Sequence, residues 1–485
     1  MKKTAMKKTA TILLGSLCAL CAQAADNIIG GPDYNNRTPI KGEDVILNPI
    51  TGSTAEAFFG SNTPTYTIRS LSTTGTTSKW NCAFGLVIDI NSTAETFDAF
   101  YNNGVMQWND PYGKNLVFKN SAGNSTYANI DWGTFYMQVN TSSQSNKLQI
   151  LTNANITGKS FTTNVGNIQM LVDNNSTVNY QMSGTTTFNN NSSLKIASGS
   201  TFNATNSSFV FNSSSKAIIN GVFNYVATNS VNLKLRNAEI SGAGAKLTSK
   251  VTNGTANALA QIYLEGENTV SNGGSIEAVG ALRLLNGGRL VIAEDAGSIH
   301  LTKALVGTTM YWGRILFAGN GELVLNKKNA ITTNNTNGLA QLTNIGGVAN
   351  PNKLIVTADN KFEGIYFQDA ARMEISVIDA KASFNYVGRN AGNDSKPNVV
   401  IAQIHFGDFA EDTIFFDENA WWNDDKIVLT ANDGTNDYTK DQLALVEVNS
   451  EYGKYTLRFQ IPEPSTYAAV FGAIALGLAA YRRRR

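Results

Sequence analysis

Few side chains in this 485-residue chain can do chemistry, and where they fall matters more than how many there are. His300 and His405 are the only histidines and lie far apart in sequence. Cys82 stands in Trp80-Asn81-Cys82-Ala83, which carries no recognisable nucleophile motif. A zinc site or a cysteine protease therefore has no residue set to build on. Carboxylates with arginine, such as Asp369, Arg372, Glu374 and Asp379, could do acid–base work on a polysaccharide, as a lyase or hydrolase would. Any soluble face carries such groups, however, and no spacing singles these out. The densest cluster lies in residues 401–460, where Asp408, Glu411, Asp412, Asp417, Glu418, Asp424 and Asp425 could offer oxygen ligands to calcium. Trp421-Trp422 in the same stretch could offer a flat face to a sugar ring. The carboxylate spacing matches no EF-hand or nonapeptide calcium loop. Neighbouring residues on a strand face opposite ways, which puts at least one of the two tryptophans in the core. No catalytic residue and no cofactor are expected, calcium being the one ligand these carboxylates leave open.

The other chemically distinctive segment is the tail. Pro462-Glu463-Pro464-Ser465 precedes an apolar stretch from Tyr467 to Tyr481 and then Arg482-Arg483-Arg484-Arg485. An apolar helix followed by four guanidinium groups halts in a membrane with the arginines on the cytoplasmic side, leaving everything before it outside. About 15 apolar residues make roughly 22 Å of helix against about 30 Å of hydrocarbon, so the segment spans only if the arginines snorkel and the bilayer thins. A marginal anchor suits a segment meant to be removed. A plain C-terminal anchor is the competing reading; a core helix does not carry four consecutive arginines. The order of motif, helix and basic end resembles the PEP-CTERM signal, which is similar in layout to the tails cut by sortases. The resemblance covers residues 461–485 alone. It implies an exosortase-type transpeptidase of a Gram-negative bacterium as the processing partner. Pro462, Glu463 and Pro464 would be the sorting motif, an extended, helix-averse grip for a peptidase, and Arg482, Arg483, Arg484 and Arg485 the membrane stop.

The front of the chain agrees. Lys2, Lys3, Lys7 and Lys8 precede an apolar run from Ala10 to Ala22, and Ala22-Gln23-Ala24 is a small-x-small cleavage site with Ala22 and Ala24 as the small residues. Residues 1–5 and 6–10 are the same pentapeptide, so a start at Met6 changes nothing. Cys18 and Cys21 each follow leucine, where a site resembling the bacterial lipobox needs a small residue. Removing both ends, with the tail cut near Pro464 so that Glu463 stays, takes eight of the 38 Lys+Arg and leaves 30 basic against 37 acidic residues, a net of −7. Nucleic acid is then excluded as a partner. Cys82 becomes the one mature cysteine, so no internal disulfide can form, and a small buried hydrophobe is the expected role.

These chemical features must be carried by a β body. Charged residues are 15%, glycine occupies 42 positions and Asn, Ser and Thr fill much of the rest, while 42% hydrophobic content argues against disorder. Period-2 alternation recurs in Val178–Met182, Leu194–Ile196, Phe209–Phe211, Val231–Leu235, Leu282–Leu284, Arg289–Ile292, Glu322–Leu325 and Lys353–Val356. Turn formers sit between, such as Asn189-Asn190-Asn191, Asn272-Gly273-Gly274, Asn286-Gly287-Gly288 and Asn320-Gly321. Ser183–Phe188, Ser198–Phe202 and Asn220–Phe223 repeat a turn-then-strand pattern ending in an inward aromatic. Their spacing of 14 and then 21 residues fits a parallel β-helix with variable loops better than a propeller with blades of fixed length. Stacked coils would align like residues, with Asn, Ser and Thr in ladders outside and Val, Ile, Leu and Phe inside. Leu285–Ile292 and Ala318–Asn326 look like the strand repeats of autotransporter passenger domains, a resemblance in style over residues 150–400 that implies a right-handed β-helix exposed at a bacterial surface. No outer-membrane barrel follows here. The many Asn-x-Ser/Thr sequons follow from composition and do not imply glycosylation in a bacterial setting.

The expected organisation is a signal peptide at 1–24, an N-terminal cap and first β region at 25–147, β-solenoid repeats at 148–400, a C-terminal cap at 401–460 and a PEP-CTERM-like tail with a single transmembrane helix at 461–485. The fold class is all-β, a right-handed parallel β-helix. The expected function is an exported structural or adhesin-like protein. It would be sorted through the inner membrane to the cell surface or the extracellular matrix. A carbohydrate-binding module, or a polysaccharide lyase or hydrolase on the same scaffold, is the alternative; the partners these readings leave open are extracellular polysaccharide and, through the C-terminal helix, the membrane.

Overall fold

The computed structural model describes residues 27–30, 44–48, 65–73, 79–82, 85–102, 104–109, 115–139, 145–227, 232–251, 261–306, 309–346, 349–390, 402–407, 409–460 and 464–483. The chain is mostly β, built from large parallel sheets consistent with a β-solenoid. Two units divide it: residues 1–283 with 288–313, and residues 284–287 with 314–485. Ala22, Ala24 and the rest of the expected signal peptide, Pro462 and Glu463 of the tail motif, and Arg484 and Arg485 lie outside the described residues.

In the first unit each coil lays down short strands on successive faces, and each strand pairs in parallel with its equivalent one coil away. One coil consists of Tyr127–Asp131, Thr134–Gln138 and Ser145–Ile150; the next is Ala154–Gly158, Ser160–Thr163 and Asn167–Val172. Thr177–Met182, Thr185–Phe188 and Ser193–Ile196 follow, paired residue for residue with the coil before. Alternation sets the faces: in Ser145–Ile150 and Val222–Ala227 every second residue is buried. Tight turns come where sequence placed them, with Asn190, Asn191 and Asn272 at positive φ of 50°, 60° and 50°. Asparagine tolerates that region because its side chain bonds locally.

Between residues 100 and 223 the interior, otherwise filled by Ile, Leu, Val and Ala, carries an aromatic column. Trp132 meets Phe161 at 5.0 Å between ring centroids, Phe188 stacks on Phe211 at 4.8 Å, Tyr180 meets Phe202 at 5.1 Å and Phe202 meets Phe223 at 5.3 Å. The irregular spacing of the three aromatic-ended repeats has a simple cause. Phe202 and Phe223 are register partners on the first face, whereas Phe188 belongs to the second face and partners Phe211. Tyr180 keeps its hydroxyl satisfied against Thr186 within this core, and burial pushes the phenol far above its ordinary value.

Residues 27–147 include Thr96–Tyr101, which pairs with Tyr127–Asp131, itself paired with Ala154–Gly158. The parallel ladder therefore runs unbroken across position 147, and Trp108 and Trp132 are fully buried in the interior. The strand Lys79–Cys82 joins the second face through Val105–Asn109, and the environment of the Cys82 side chain lies outside the described residues.

In the second unit Gln341–Ile345, Asn360–Phe367, Ala382–Arg389 and Ile414–Phe416 stack in parallel on one face. Glu322–Leu325, Asn352–Val356, Ala371–Val377, Ala402–Gly407 and Ile427–Asn432 do so on another. Parallel stacking stops in the expected C-terminal cap. Gly453–Phe459 pairs antiparallel with both Ile414–Phe416 and Leu443–Ser450, and Asp437–Thr439 folds back antiparallel on Ile427–Asn432. Hairpins end the sheets without presenting another parallel template.

The C-terminal helix Pro464–Arg483 forms, but no helix among the described residues is long and apolar enough to cross a membrane. This corrects the expected transmembrane helix. Pro464-Ser465-Thr466 at one end and Arg482-Arg483 at the other leave an apolar run shorter than the hydrocarbon layer. Pro464, expected in an extended segment, is instead the first helical residue, where its fixed φ suits the helix and its missing N–H costs nothing.

The aromatic column predicts a separable pair of effects at Trp132, whose buried indole N–H has no partner among the described residues. Trp132→Ala should cost about 3–5 kcal/mol through the cavity it opens, and Trp132→Phe less than half of that, because it also removes an unpaired donor. Thermal melts followed by circular dichroism check the order; equal losses would refute it.

Candidate functional site

The feature that most distinguishes the outer surface is a row of amides on the first face of the first unit. In-register pairing brings Asp98, Asn129, Asn155, Asn179, Asn203, Asn224 and Thr248 into one line, one residue per coil. Asn129 Nδ2 donates to Asp98 Oδ1 at 2.8 Å, Asn155 Nδ2 to Asn129 Oδ1 at 3.1 Å, and Asn179 Nδ2 to Asn155 Oδ1 at 3.0 Å. Asn203 Nδ2 continues to Asn179 Oδ1 at 3.0 Å, Asn224 Nδ2 to Asn203 Oδ1 at 2.9 Å, and Thr248 Oγ1 to Asn224 Oδ1 at 2.7 Å. Every donor points the same way, so the amide dipoles add, and the carboxylate of Asp98 stands at the end where the N–H groups converge. Each amide keeps a second N–H and a second lone pair for what lies outside, at the strand spacing of about 4.8 Å. Glu277 and His300 continue the row by register. The Lys246 ammonium beside Glu277 holds that carboxyl below its ordinary value. Sequence reading anticipated ladders of this kind; which asparagines align was settled by coil lengths that vary from turn to turn.

Inside the same unit, Asn268 ties three coils together. Its Oδ1 accepts from Ala238 N at 2.9 Å and its Nδ2 donates to Arg289 O at 3.1 Å, from a fully enclosed position. Such buried amides act as spacers that penalise a slipped coil, because a shift leaves them unsatisfied.

The acidic-aromatic stretch splits into separate roles in the second unit. Trp421 is buried, with Nε1 donating to Glu418 O at 2.9 Å, and serves the core as expected of one of the pair. Trp422 is half-buried on the short helix Ala420–Asn423, and Lys440 Nζ lies over its ring at 5.3 Å from the centroid. Beside them opens a cleft of about 310 Å³ lined by Asp424, Asp425, Val428, Thr430, Thr439 and Lys440, among others. Lys440 and Thr439 come from the antiparallel return, a placement that no local sequence signal announced. Burial lowers the Lys440 ammonium.

Three of the seven acidic residues proposed as calcium ligands use their carboxylates to close the cap. Asp412 takes both Nε and Nη2 of Arg458, at 2.9 Å and 3.0 Å. Glu411 Oε1 accepts Phe459 N at 2.9 Å, and Asp424 Oδ2 accepts Arg389 Nε at 2.7 Å. Asp417 and Glu418 are held through backbone N–H bonds to Asn385 O, Asp425 is exposed, and Asp408 lies outside the described residues. Among the described residues no group of three or more His, Cys, Asp or Glu side chains is placed to hold a metal ion. Of the polysaccharide-lyase candidates only Arg372 and Glu374 are brought together. Glu374 is ion-paired with Arg372 at 3.2 Å and with Lys353 at 3.7 Å, Asp369 is exposed, and Asp379 occupies a turn at φ 51°. His405 Nδ1 lies 2.9 Å from Thr430 Oγ1 in the second unit, while His300 belongs to the first.

No protein family, curated protein or solved structure matches the chain.

Two outcomes follow from this geometry. Asn179→Asp should destabilise the fold more than Asn179→Ala at neutral pH, since a carboxylate cannot donate to Asn155 and replaces a bond of about 1 kcal/mol with repulsion. The excess should vanish at pH 3, where the new carboxyl protonates; a pH-independent difference in melting temperature would contradict this. For Asp424, burial alone would raise the carboxyl, but bonds from Arg389 and from Lys426 N outweigh it and the net position is lowered. Its folded value being depressed, its stabilising contribution is present above the ordinary value of 3.8 and is lost as pH falls through the folded value. Tryptophan fluorescence from the adjoining Trp421-Trp422 pair should change in acid below that point, and Asp424→Asn should abolish the transition.

Proposed function

We propose that this is an exported structural protein of a bacterial surface or extracellular matrix, released to that location by processing of its tail. The observation that carries the reading is the tail helix: Ile474, Leu476, Leu478 and Tyr481 stand exposed on a segment ending in arginines. An apolar helix left exposed beside a well-packed β body is expected of a segment whose business is with a membrane and not with the fold. Its brevity suits transient retention at the membrane during cleavage. The motif Pro462-Glu463-Pro464, the signal-like first 24 residues and a lone mature cysteine support export and an exosortase-type transpeptidase as the processing partner.

The body supports a structural and adhesive role. We read it as a right-handed coil, the hand that twisted parallel strands favour in crossover connections. The asparagines of its row, Asn129 to Asn224, are uncharged, regular and hydrogen-bonded, which suits lateral contact with hydroxyl-rich polymer. A second reading, a carbohydrate-binding module, is favoured by the half-buried Trp422, whose ring lies under Lys440, one of the residues that line the cleft with Thr430 and Thr439.

Fractionating the native host and determining both mature termini by mass spectrometry tests the proposal. Cleavage near Pro462 to Pro464 with the body in the surface fraction is expected. Changing Arg482 through Arg485 to glutamine should impair processing or mislocalise the chain, and an intact tail in the inner membrane of the unaltered protein would overturn the reading.

A further inference from the structure

On one face of the second unit, two tyrosines lie against backbone that carries no β-carbons. Register places Gln341, Gly364 and Tyr386 in one row across three strands, and Thr343, Tyr366 and Gly388 in the next. Tyr386 leans across Gly364: a β-carbon there would meet ring atoms Cδ1 and Cε1 at 3.0 Å. The ring thereby reaches Gln341, whose Nε2 donates to the phenol oxygen at 2.6 Å. Gln341 Oε1 in turn accepts Thr343 Oγ1 at 3.0 Å, which sets the amide orientation. Gly388 has the same role on the other side, where a β-carbon would come within 3.1 Å of Tyr386 Cε2 and 3.3 Å of Tyr366 Cδ2.

Around the rings stand groups that both donate and accept. Asn335 Nδ2 donates to Glu363 Oε2 at 3.3 Å, and burial raises the Glu363 carboxyl above its ordinary value. Tyr386 is raised too, first by burial and then by the nearby charges of Glu363, Tyr366 and Glu418. Both tyrosines are half-buried, so each keeps part of its surface for a partner.

We infer that Tyr366 and Tyr386 form a glycine-seated aromatic shelf that stacks a pyranose ring of a neutral, β-linked glucan, with Gln341 and Glu363 bonding its hydroxyls. The chemistry selects that class. An aromatic face held flat by its bed suits the flat C–H face of a sugar whose hydroxyls are equatorial, and stacking on a preorganised ring loses little entropy. Amide and carboxyl groups at the rim match vicinal hydroxyls, and neighbouring Glu363 and Glu418 disfavour an anionic uronate. The inference deepens the polysaccharide-contact reading above and rests on it for its biological setting.

Isothermal titration of the full chain with cellohexaose, and with an oligogalacturonate of equal length, tests it. The neutral oligomer should bind and the anionic one should not. Tyr386→Ala should weaken binding by about tenfold or more, whereas Tyr386→Phe, which keeps the ring and loses the Gln341 bond, should weaken it by only about two- to threefold. Circular dichroism shows whether each variant is folded, and Tyr366→Ala gives the same readout from the neighbouring strand if Tyr386→Ala is not. Absence of cellohexaose binding by the folded chain, stronger binding of the oligogalacturonate, or indifference to both alanine variants would overturn the shelf. Binding is measured without reference to tail cleavage, so failure of the sorting reading and failure of the shelf are told apart.

Discussion

In-register parallel pairing between successive coils is the constraint on which the rest depends. Once Ala128 lies opposite Ala154 and Ala154 opposite Val178, every other residue on the face inherits its neighbour. A slip by one residue would turn Trp132, Phe161 and Tyr180 outward and bring the amide row inside. The aromatic column and the asparagine ladder are therefore two sides of one registration. The column supplies the largest fully buried side chains, and the ladder and buried amides such as Asn268 make alternative registers costly.

The same registration explains how the surface can be polar and regular with few charges. Like residues stacked at strand spacing would repel if charged, and the ion pairs present alternate sign between adjacent coils, as in Lys216 with Glu239 and Lys246 with Glu277. Amides avoid the difficulty, since each donates to one neighbour and accepts from the other. What remains on the outside is a line of unused donors and acceptors, a surface suited to hydroxyl-rich polymer.

The second unit departs from this regularity in ways that create sites. Replacing side chains with Gly364 and Gly388 lets two tyrosines lie down on the sheet. Ending the parallel stack with antiparallel returns brings Lys440 over Trp422 and opens the cleft beside it. Arg458 with Asp412 and Arg389 with Asp424 then lock the returns. The carboxylates of Glu411, Asp412 and Asp424 take cationic or backbone partners supplied by distant strands.

Sequence alone determined the class of the fold, because alternation and Asn/Gly turns are local and dictate short strands with one buried face. Val178–Met182, Arg289–Ile292 and Glu322–Leu325 all fall within strands, and Asn190, Asn191 and Asn272 adopt the left-handed turns their types favour. It also determined the composition of both termini and hence the argument for export. Only the tertiary structure decided which residues meet. Coil lengths vary, so Phe188 and Phe202 went to different faces despite similar motifs, and Asn155, Asn179 and Asn203 aligned across gaps that no fixed period describes. The ladder continued through residues expected to cap it because parallel pairing needs only a matching edge. Tyr366 and Tyr386 carried no signal at all in one dimension. Their role comes from glycines on neighbouring strands, and side-chain chemistry that depends on the row above and below cannot be read along a single strand.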